Sequence, residues 1–343
     1  MDWVFTGSQK EISSHHRSRR WLTLTCLLAG GMMFTLAGCD SEAMIASSNS
    51  EQQTALRILG TDSAVLMRAD IEHQMSLLQE WMPDADDMTA YMEEAFDEVE
   101  DRTGIRLDED VHGVYMAMAQ LEEESNIGML VFLDYDAKEV VDRSDIEEQT
   151  RRVEVDWPVD AFVLGDGQEM AVAFAEGSLV MVARGESHLR TMLDRAYDES
   201  APVVKDELLS MVSDHNSWMV ARNVDAVIGQ IDLSELDGSG AMLRPLVASV
   251  QHVGVGVDTD SDRMFMEILI DPVDAVDSDD LENLFSGVKA LLRMQARDVE
   301  ELANLVEGIE VGSDNGFVSL GIEVERSDIE RLEEAIQAQM SMY

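Results

Sequence analysis

Cysteine and basic residues are scarce in this chain. Its 343 residues include two cysteines, Cys26 and Cys39, too few for a disulfide framework or a cysteine-based zinc cluster. Lysine and arginine together number 24, against 70 aspartates and glutamates, so the formal net charge is −46. Proteins that follow the phosphate backbone of a nucleic acid, or bind anionic lipid headgroups, need a basic surface. The composition therefore excludes both classes of partner.

The motifs of common enzyme classes are also missing. The sequence contains no phosphate-binding glycine loop, no Gly-x-Ser-x-Gly elbow and no His-Glu-x-x-His zinc motif. The histidines beyond residue 38 are scattered: His73, His112, His188, His215 and His252. We therefore predict a protein that is not an enzyme, with no catalytic residue, no metal and no cofactor. The alternative is a hydrolase whose histidine and carboxylate meet only in the folded chain.

One acidic stretch, Asp258-Thr259-Asp260-Ser261-Asp262, is similar to the start of a calcium-binding EF-hand loop. The sixth position, which needs glycine, is Arg263, and the twelfth, which needs glutamate, is Leu269. We therefore predict a polar hairpin turn here, without a metal.

The N-terminus has the parts of an export signal. A basic cluster at 15–20 precedes an uncharged apolar run at 21–36, and Leu36-Ala37-Gly38-Cys39 ends it. These four residues resemble the lipobox of bacterial lipoproteins. The resemblance implies cleavage between Gly38 and Cys39, removal of 1–38 as a signal peptide, and a lipid such as palmitate on Cys39. The lipid would anchor the chain to the outer side of the cytoplasmic membrane, in the periplasm or at the cell surface. The alternative is an uncleaved signal anchor.

The acidic surface predicts a salty environment. Removing 1–38 would take away four basic and two acidic residues, and the mature charge would be −48. Only four lysines occur in the whole chain. In molar salt, screening removes the self-repulsion of such a surface. We therefore expect a halophilic protein surrounded by non-specific cations; the alternative is a surface that binds particular cations.

Hydrophobic periodicity predicts an α+β fold with antiparallel sheets and helices packed on one face. We expect a polar tether at 39–60, then two copies of a strand–helix–hairpin–helix–hairpin–helix unit, at 61–200 and 201–343. Matching residues support the duplication: 62–68 is similar to 216–222, His112 to His252, and Asp134 to Asp271. The copies could share one sheet or face each other across a groove. Inside a predicted strand, Gly254-x-Gly256 indicates close packing.

Methionine is abundant, at 23 residues. Three Met-x-Met pairs occur, and in a strand each would put both thioethers on one face: Met116/Met118, Met264/Met266 and Met340/Met342. Methionine fills irregular cores, and it also adapts to apolar ligands of varied shape.

The predicted function is a non-enzymatic binding or structural role at the cell envelope. A carrier or receptor for a small apolar ligand would have a groove lined by methionine and valine. A scaffold for an envelope protein partner would instead expose an apolar patch outside any pocket.

The lipobox gives a first testable prediction. In the native host, Cys39→Ser should abolish lipidation and leave the signal uncleaved, because the acyl acceptor is lost. Cys26→Ser, inside the predicted signal, is the matched control and should leave the lipidated mass unchanged. Intact mass after membrane fractionation measures both. A mature chain with the same mass in both variants would contradict the lipoprotein assignment.

Overall fold

The computed structural model describes most of the chain beyond residue 41. The described residues are 42–71, 96–97, 99–101, 103–107, 109–120, 127–136, 140, 150–164, 170–175, 178–198, 206–224, 248–260, 262–297, 300–329 and 331–332. The predicted signal peptide lies outside them. Residues 72–95 and 141–149 of the first predicted unit also lie outside them.

The described strands form one antiparallel sheet of 12 strands. Their bounds are β1 Val65–Ala69, β2 Val111–Met118, β3 Ile127–Leu133, β4 Thr150–Val153, β5 Asp160–Leu164, β6 Met170–Ala175, β7 Leu179–Arg184, β8 Ser217–Arg222, β9 Val250–Thr259, β10 Arg263–Pro272, β11 Glu310–Asp314 and β12 Phe317–Glu325. The order across the sheet is β11-β12-β10-β9-β8-β1-β2-β3-β7-β6-β5-β4. The predicted α+β class with antiparallel pairing is confirmed.

The β1–β8 pair joins the two halves of this sheet, which are formed by strands β1 to β7 and strands β8 to β12. Leu66 lies directly opposite Val220, and both side chains are fully buried. Outward from this pair the strand order is mirrored: β2 and β3 follow β1, while β9 and β10 follow β8. A hairpin then lies on each side, β6–β7 next to β3 and β11–β12 next to β10.

The described residues form helices α1 Glu42–Leu59, α2 Glu186–Tyr197, α3 Glu207–Val212, α4 Ser278–Ala296 and α5 Glu300–Gly308. The first three pack on one face of the sheet, which we call the α1 face. Its core joins Ile58 of α1 and Leu189 of α2 to Leu130 of β3, and all three are fully buried.

The tether predicted at 39–60 is wrong for residues 42–59, which form α1. Ala55, Leu56, Ile58 and Leu59 of this helix are buried in the core of the α1 face. Burial of such an apolar stripe stabilises a helix that its polar N-terminal half does not predict.

The prediction that helices cover one face is also wrong. Leu269 and Ile270 are neighbours on β10 and therefore point to opposite faces. Leu269 belongs to the core of the α1 face, whereas Ile270 packs in a cluster with Leu281 and Phe285 of α4. Helix α4 thus covers the opposite face at the β10–β12 end, and helices lie on both sides of the sheet.

The predicted close packing at Gly254-x-Gly256 is confirmed. Gly254 and Gly256 mark close packing, because a Cβ at Gly254 would lie 2.8 Å from Val212 of α3. The turn at Asp314-Asn315-Gly316 joins β11 to β12, with positive φ at Asn315 and Gly316. Helix α4 begins at an acidic N-cap, where Asp277 accepts a hydrogen bond from the Asp279 N–H. Strand β4, with its two arginines, was not predicted.

The β1–β8 junction gives a stability prediction. Leu66→Ala should lower the free energy of unfolding by about 2–5 kcal/mol, because it opens a cavity at a fully buried position. Leu291→Ala, on the exposed part of α4, is the control and should cost less than about 0.5 kcal/mol. Urea unfolding in molar salt measures both. Equal losses in the two variants would contradict the central place given to this strand pair.

Candidate functional site

The structure describes only part of the predicted site residues. Gly38 and Cys39 lie outside the described residues, as do His73, Met340 and Met342. The other two Met-x-Met pairs lie on β2 and β10, and four of the histidines are described.

Methionines from four adjacent strands form a continuous row across the middle of the sheet. Met129 of β3 lies opposite Met116 of β2, and Met116 lies opposite Met67 of β1. Met67 in turn lies opposite Met219 of β8. Because directly paired residues point to the same face, all four thioethers lie on the face opposite α1. We call this side the methionine face.

The row continues as aliphatic and aromatic side chains in both directions. Beyond Met219 come Val255, Ile268 and Leu320, on β9, β10 and β12. Beyond Met129 come Val182, Val172 and Phe162, on β7, β6 and β5. The methionine face is thus apolar along this line from β5 to β12.

In the middle of the sheet the methionine face is less completely covered than the α1 face, whereas toward the edges it is buried, as at Phe162 and Ile270. Met67 and Met116 are each 8 % exposed, while Met129, Met219 and Val255 are half-buried. On the α1 face the neighbouring Leu66, Leu130 and Val220 are fully buried. Met264 and Met266 extend the half-buried region onto β10, where they pack against Val257.

Two of the histidines pair with the carboxylates that end the next strand. His112 Nε2 lies 3.2 Å from Asp134 Oδ2, and His252 Nε2 lies 4.0 Å from Asp271 Oδ2. In both cases the histidine is near the start of a strand and the aspartate is near the end of its hairpin partner. Burial raises the pKa of the Asp271 carboxyl above its ordinary value, with His252 opposing that rise.

A polar cleft of about 400 Å³ adjoins the His252–Asp271 pair. Asp206, Arg222 and Phe317 also line it. Arg222 donates to the Asp206 carboxylate and to the Ser63 carbonyl, so these two polar partners already hold its guanidinium. The cleft can hold a polar molecule, whereas the methionine face suits an apolar one.

The sequence did not single out the best-held histidine. His215 Nδ1 lies 2.7 Å from Asp258 Oδ2, and its Nε2 lies 3.3 Å from Glu267 Oε2. A histidine and carboxylates do meet, as the hydrolase alternative expected. Both ring nitrogens face carboxylate oxygens, however, so in this arrangement the ring has no lone pair directed at a substrate. The one feature of the sequence that indicated this contact was Gly256, whose missing side chain leaves room for the imidazole ring of His215.

The predicted hairpin turn joins β9 to β10, and the Asp260 N–H donates to the Arg263 carbonyl across it. Asp260 accepts hydrogen bonds from the N–H groups of Asp262 and Arg263, so its carboxylate closes the turn. Within the described residues, no group of three or more His, Cys, Asp or Glu side chains is arranged to hold a metal ion.

The described part of the chain contains no helix long and apolar enough to span a membrane.

No protein-family model and no curated protein matches this chain. Three solved structures, crystal forms III, I and IV of TP0453, are weakly similar to it. Their sequence identities are 9 %, 9 % and 8 %, and their TM-scores are 0.45, 0.46 and 0.46. The matches cover 82 %, 83 % and 80 % of this chain and 97 %, 96 % and 94 % of those chains. The TM-scores are low, and this likeness assigns neither a family nor a function.

Proposed function

We propose that this chain is an exported lipoprotein, anchored to the membrane through Cys39, and that it binds a small apolar ligand on the methionine face. The observation that carries the binding role is the row of four paired methionines, of which Met67 and Met116 are buried while Met129 and Met219 are half-buried. The lipobox supports the anchor.

Side-chain chemistry favours an apolar ligand over a purely structural row. A sheet face that only packs a core is covered completely, as Leu66 and Leu130 are on the α1 face. Met129 and Met219 instead keep part of their surface accessible. Methionine is unbranched and polarisable, so a row of four can adjust to a flexible hydrocarbon. Such a ligand gains affinity as its apolar surface leaves water.

The methionine row spans both proposed copies of the repeat. Met129, Met116 and Met67 belong to 61–200, and Met219 belongs to 201–343. The mirrored strand order around β1–β8 supports the duplication. The His112–Asp134 and His252–Asp271 pairs also support it, because these residues occupy matching positions in the two proposed copies. Two copies sharing one sheet would offer a ligand a surface wider than either copy has alone.

A scaffold for an envelope protein is the second candidate function. It is favoured by apolar side chains that stand exposed on α4 and α5: Leu284, Leu291, Leu292, Met294 and Leu302. Met294 is 67 % exposed, which is unusual for a large apolar residue. This exposed stripe lies outside the methionine face, so the two functions can be separated by mutation.

The double variant Met129→Gln/Met219→Gln tests the apolar ligand site. Glutamine nearly preserves the volume of methionine but adds a polar group that an apolar ligand cannot pair. We expect the dissociation constant of the neutral apolar dye Nile red to rise about tenfold, which corresponds to about 1.4 kcal/mol. Fluorescence titration in molar salt measures it.

The matched control is Leu291→Gln/Met294→Gln, which places the same polar group on the exposed stripe of α4. It should leave the dissociation constant of the dye unchanged. Circular dichroism and urea unfolding verify that both double variants fold. If the α4 variant weakens dye binding and the methionine variant does not, the ligand site is wrong and the scaffold function is favoured.

A further inference from the structure

In the connection between α3 and β8, the side chain of His215 contacts two strands of the sheet. Helix α3 ends at Val212, β8 begins at Ser217, and His215 lies between them. The His215 N–H donates to the Val212 carbonyl, so this residue continues directly from the helix end. Its side chain then reaches across β9 to β10.

Two glycines on β9 make room for this arrangement. A Cβ at Gly254 would lie 2.8 Å from Val212 and 2.9 Å from Leu208, so α3 rests directly on the strand backbone there. A Cβ at Gly256 would collide with the imidazole ring of His215. The ring also stacks on Phe265 of β10, at 6.1 Å between centroids. The imidazole therefore has a fitted socket on the α1 face.

Carboxylates occupy both polar ends of the socket. Asp258 of β9 faces Nδ1 at 2.7 Å, and Glu267 of β10 faces Nε2 at 3.3 Å. Ionised carboxylates only accept hydrogen bonds, so both contacts need an N–H on the ring. Only the imidazolium has two. Asp258 also accepts the Asn216 N–H at 2.9 Å, which ties the next residue of the connection to the same carboxylate.

The surroundings of the ring favour its charged form. Among the described residues, the charged groups that face it are Asp258 from β9 and Glu267 from β10; on α3 the core-facing residues Leu208, Leu209 and Val212 are apolar. Burial opposes the charge of His215, but hydrogen bonds and attraction from the two carboxylates outweigh it and raise the pKa of His215. Burial likewise opposes the charge of Asp258, and the hydrogen bond from His215 is the main factor that lowers its pKa.

We propose that His215 is a proton-dependent clasp, which holds the α3–β8 connection on both β9 and β10 while both ring nitrogens are protonated and releases it from β10 when one proton is lost. A neutral ring keeps one N–H. The shorter contact, to Asp258, retains it, and Glu267 then faces a lone pair. The connection is left held to β9 alone.

The raised pKa of His215 determines how the stability of the fold changes with pH. A histidine whose pKa is higher in the folded chain than in the unfolded chain stabilises the fold below the unfolded pKa. That stabilisation is lost as pH rises through the raised folded pKa. The contact to Glu267 is therefore closed below the ordinary pKa of histidine and opens as pH rises through the raised pKa of His215.

Hydrogen exchange and imidazole ¹⁵N NMR on the full mature chain test the clasp. At about pH 6 both ring nitrogens of His215 should show the shifts of an imidazolium. Between about pH 6 and about pH 9, protection of the amides at 208–216 should fall about tenfold after correction for the intrinsic rate, the effect of losing one hydrogen bond between charged groups. Unchanged protection, or a neutral ring at pH 6, would overturn the proposal.

Three variants separate the clasp from general effects of pH. His215→Gln should leave the 208–216 amides weakly protected and independent of pH over this range. Glu267→Gln removes one facing charge and should move the ¹⁵N titration of His215 to lower pH while the chain stays folded. His252→Gln, a histidine on the same sheet outside this socket, is the matched control and should keep the wild-type pH dependence. If His252→Gln abolishes that dependence, or Glu267→Gln leaves the titration unmoved, the clasp is wrong.

Discussion

The pairing of β1 with β8 is the constraint on which the rest of the structure depends. It is the hydrogen-bonded link between the strands β1 to β7 and the strands β8 to β12, and it makes the 12 described strands one sheet. Its register also decides which side chains share a face. A shift of β8 by one residue against β1 would turn Val220 toward the methionine face and Met219 toward α1, and would break the methionine row. The buried leucines of the α1 face therefore specify the methionine row as well as the core.

Local patterns in the sequence predicted much of the sheet. Runs such as 111–119 and 127–135 gave the β2–β3 hairpin, because strand length and turn chemistry are local properties. Burial of α1 was missed, although Ala55, Leu56, Ile58 and Leu59 have helical spacing. The polar residues before them obscured a short stripe whose stabilisation comes from the sheet beneath it.

The candidate site was less predictable, because it depends on which strands become neighbours. The Met116/Met118 pair was visible within its own strand, but the row needs Met67 and Met219, which are separated by about half the chain and meet only through the β1–β8 register. The contacts of His215 were unpredictable for the same reason. Its partners Asp258 and Glu267 are supplied by a hairpin more than 40 residues away, and only the glycine at 256 signalled that something would pack there. Sequence patterns predict elements better than the contacts between distant elements.

The acidic composition and the apolar methionine face are the basis of our proposal that this chain is a lipid-anchored envelope protein with an apolar ligand site on its sheet. The most direct test is native mass spectrometry of the protein extracted from the membranes of its own host in molar salt, compared with a denaturing spectrum of the same sample. We expect the denaturing spectrum to give the mass of a lipidated chain that begins at Cys39. The native spectrum should give a mass larger by one non-covalently bound apolar molecule. Equal masses in the two spectra would contradict the proposed ligand site, and a chain beginning at Met1 would contradict the anchor.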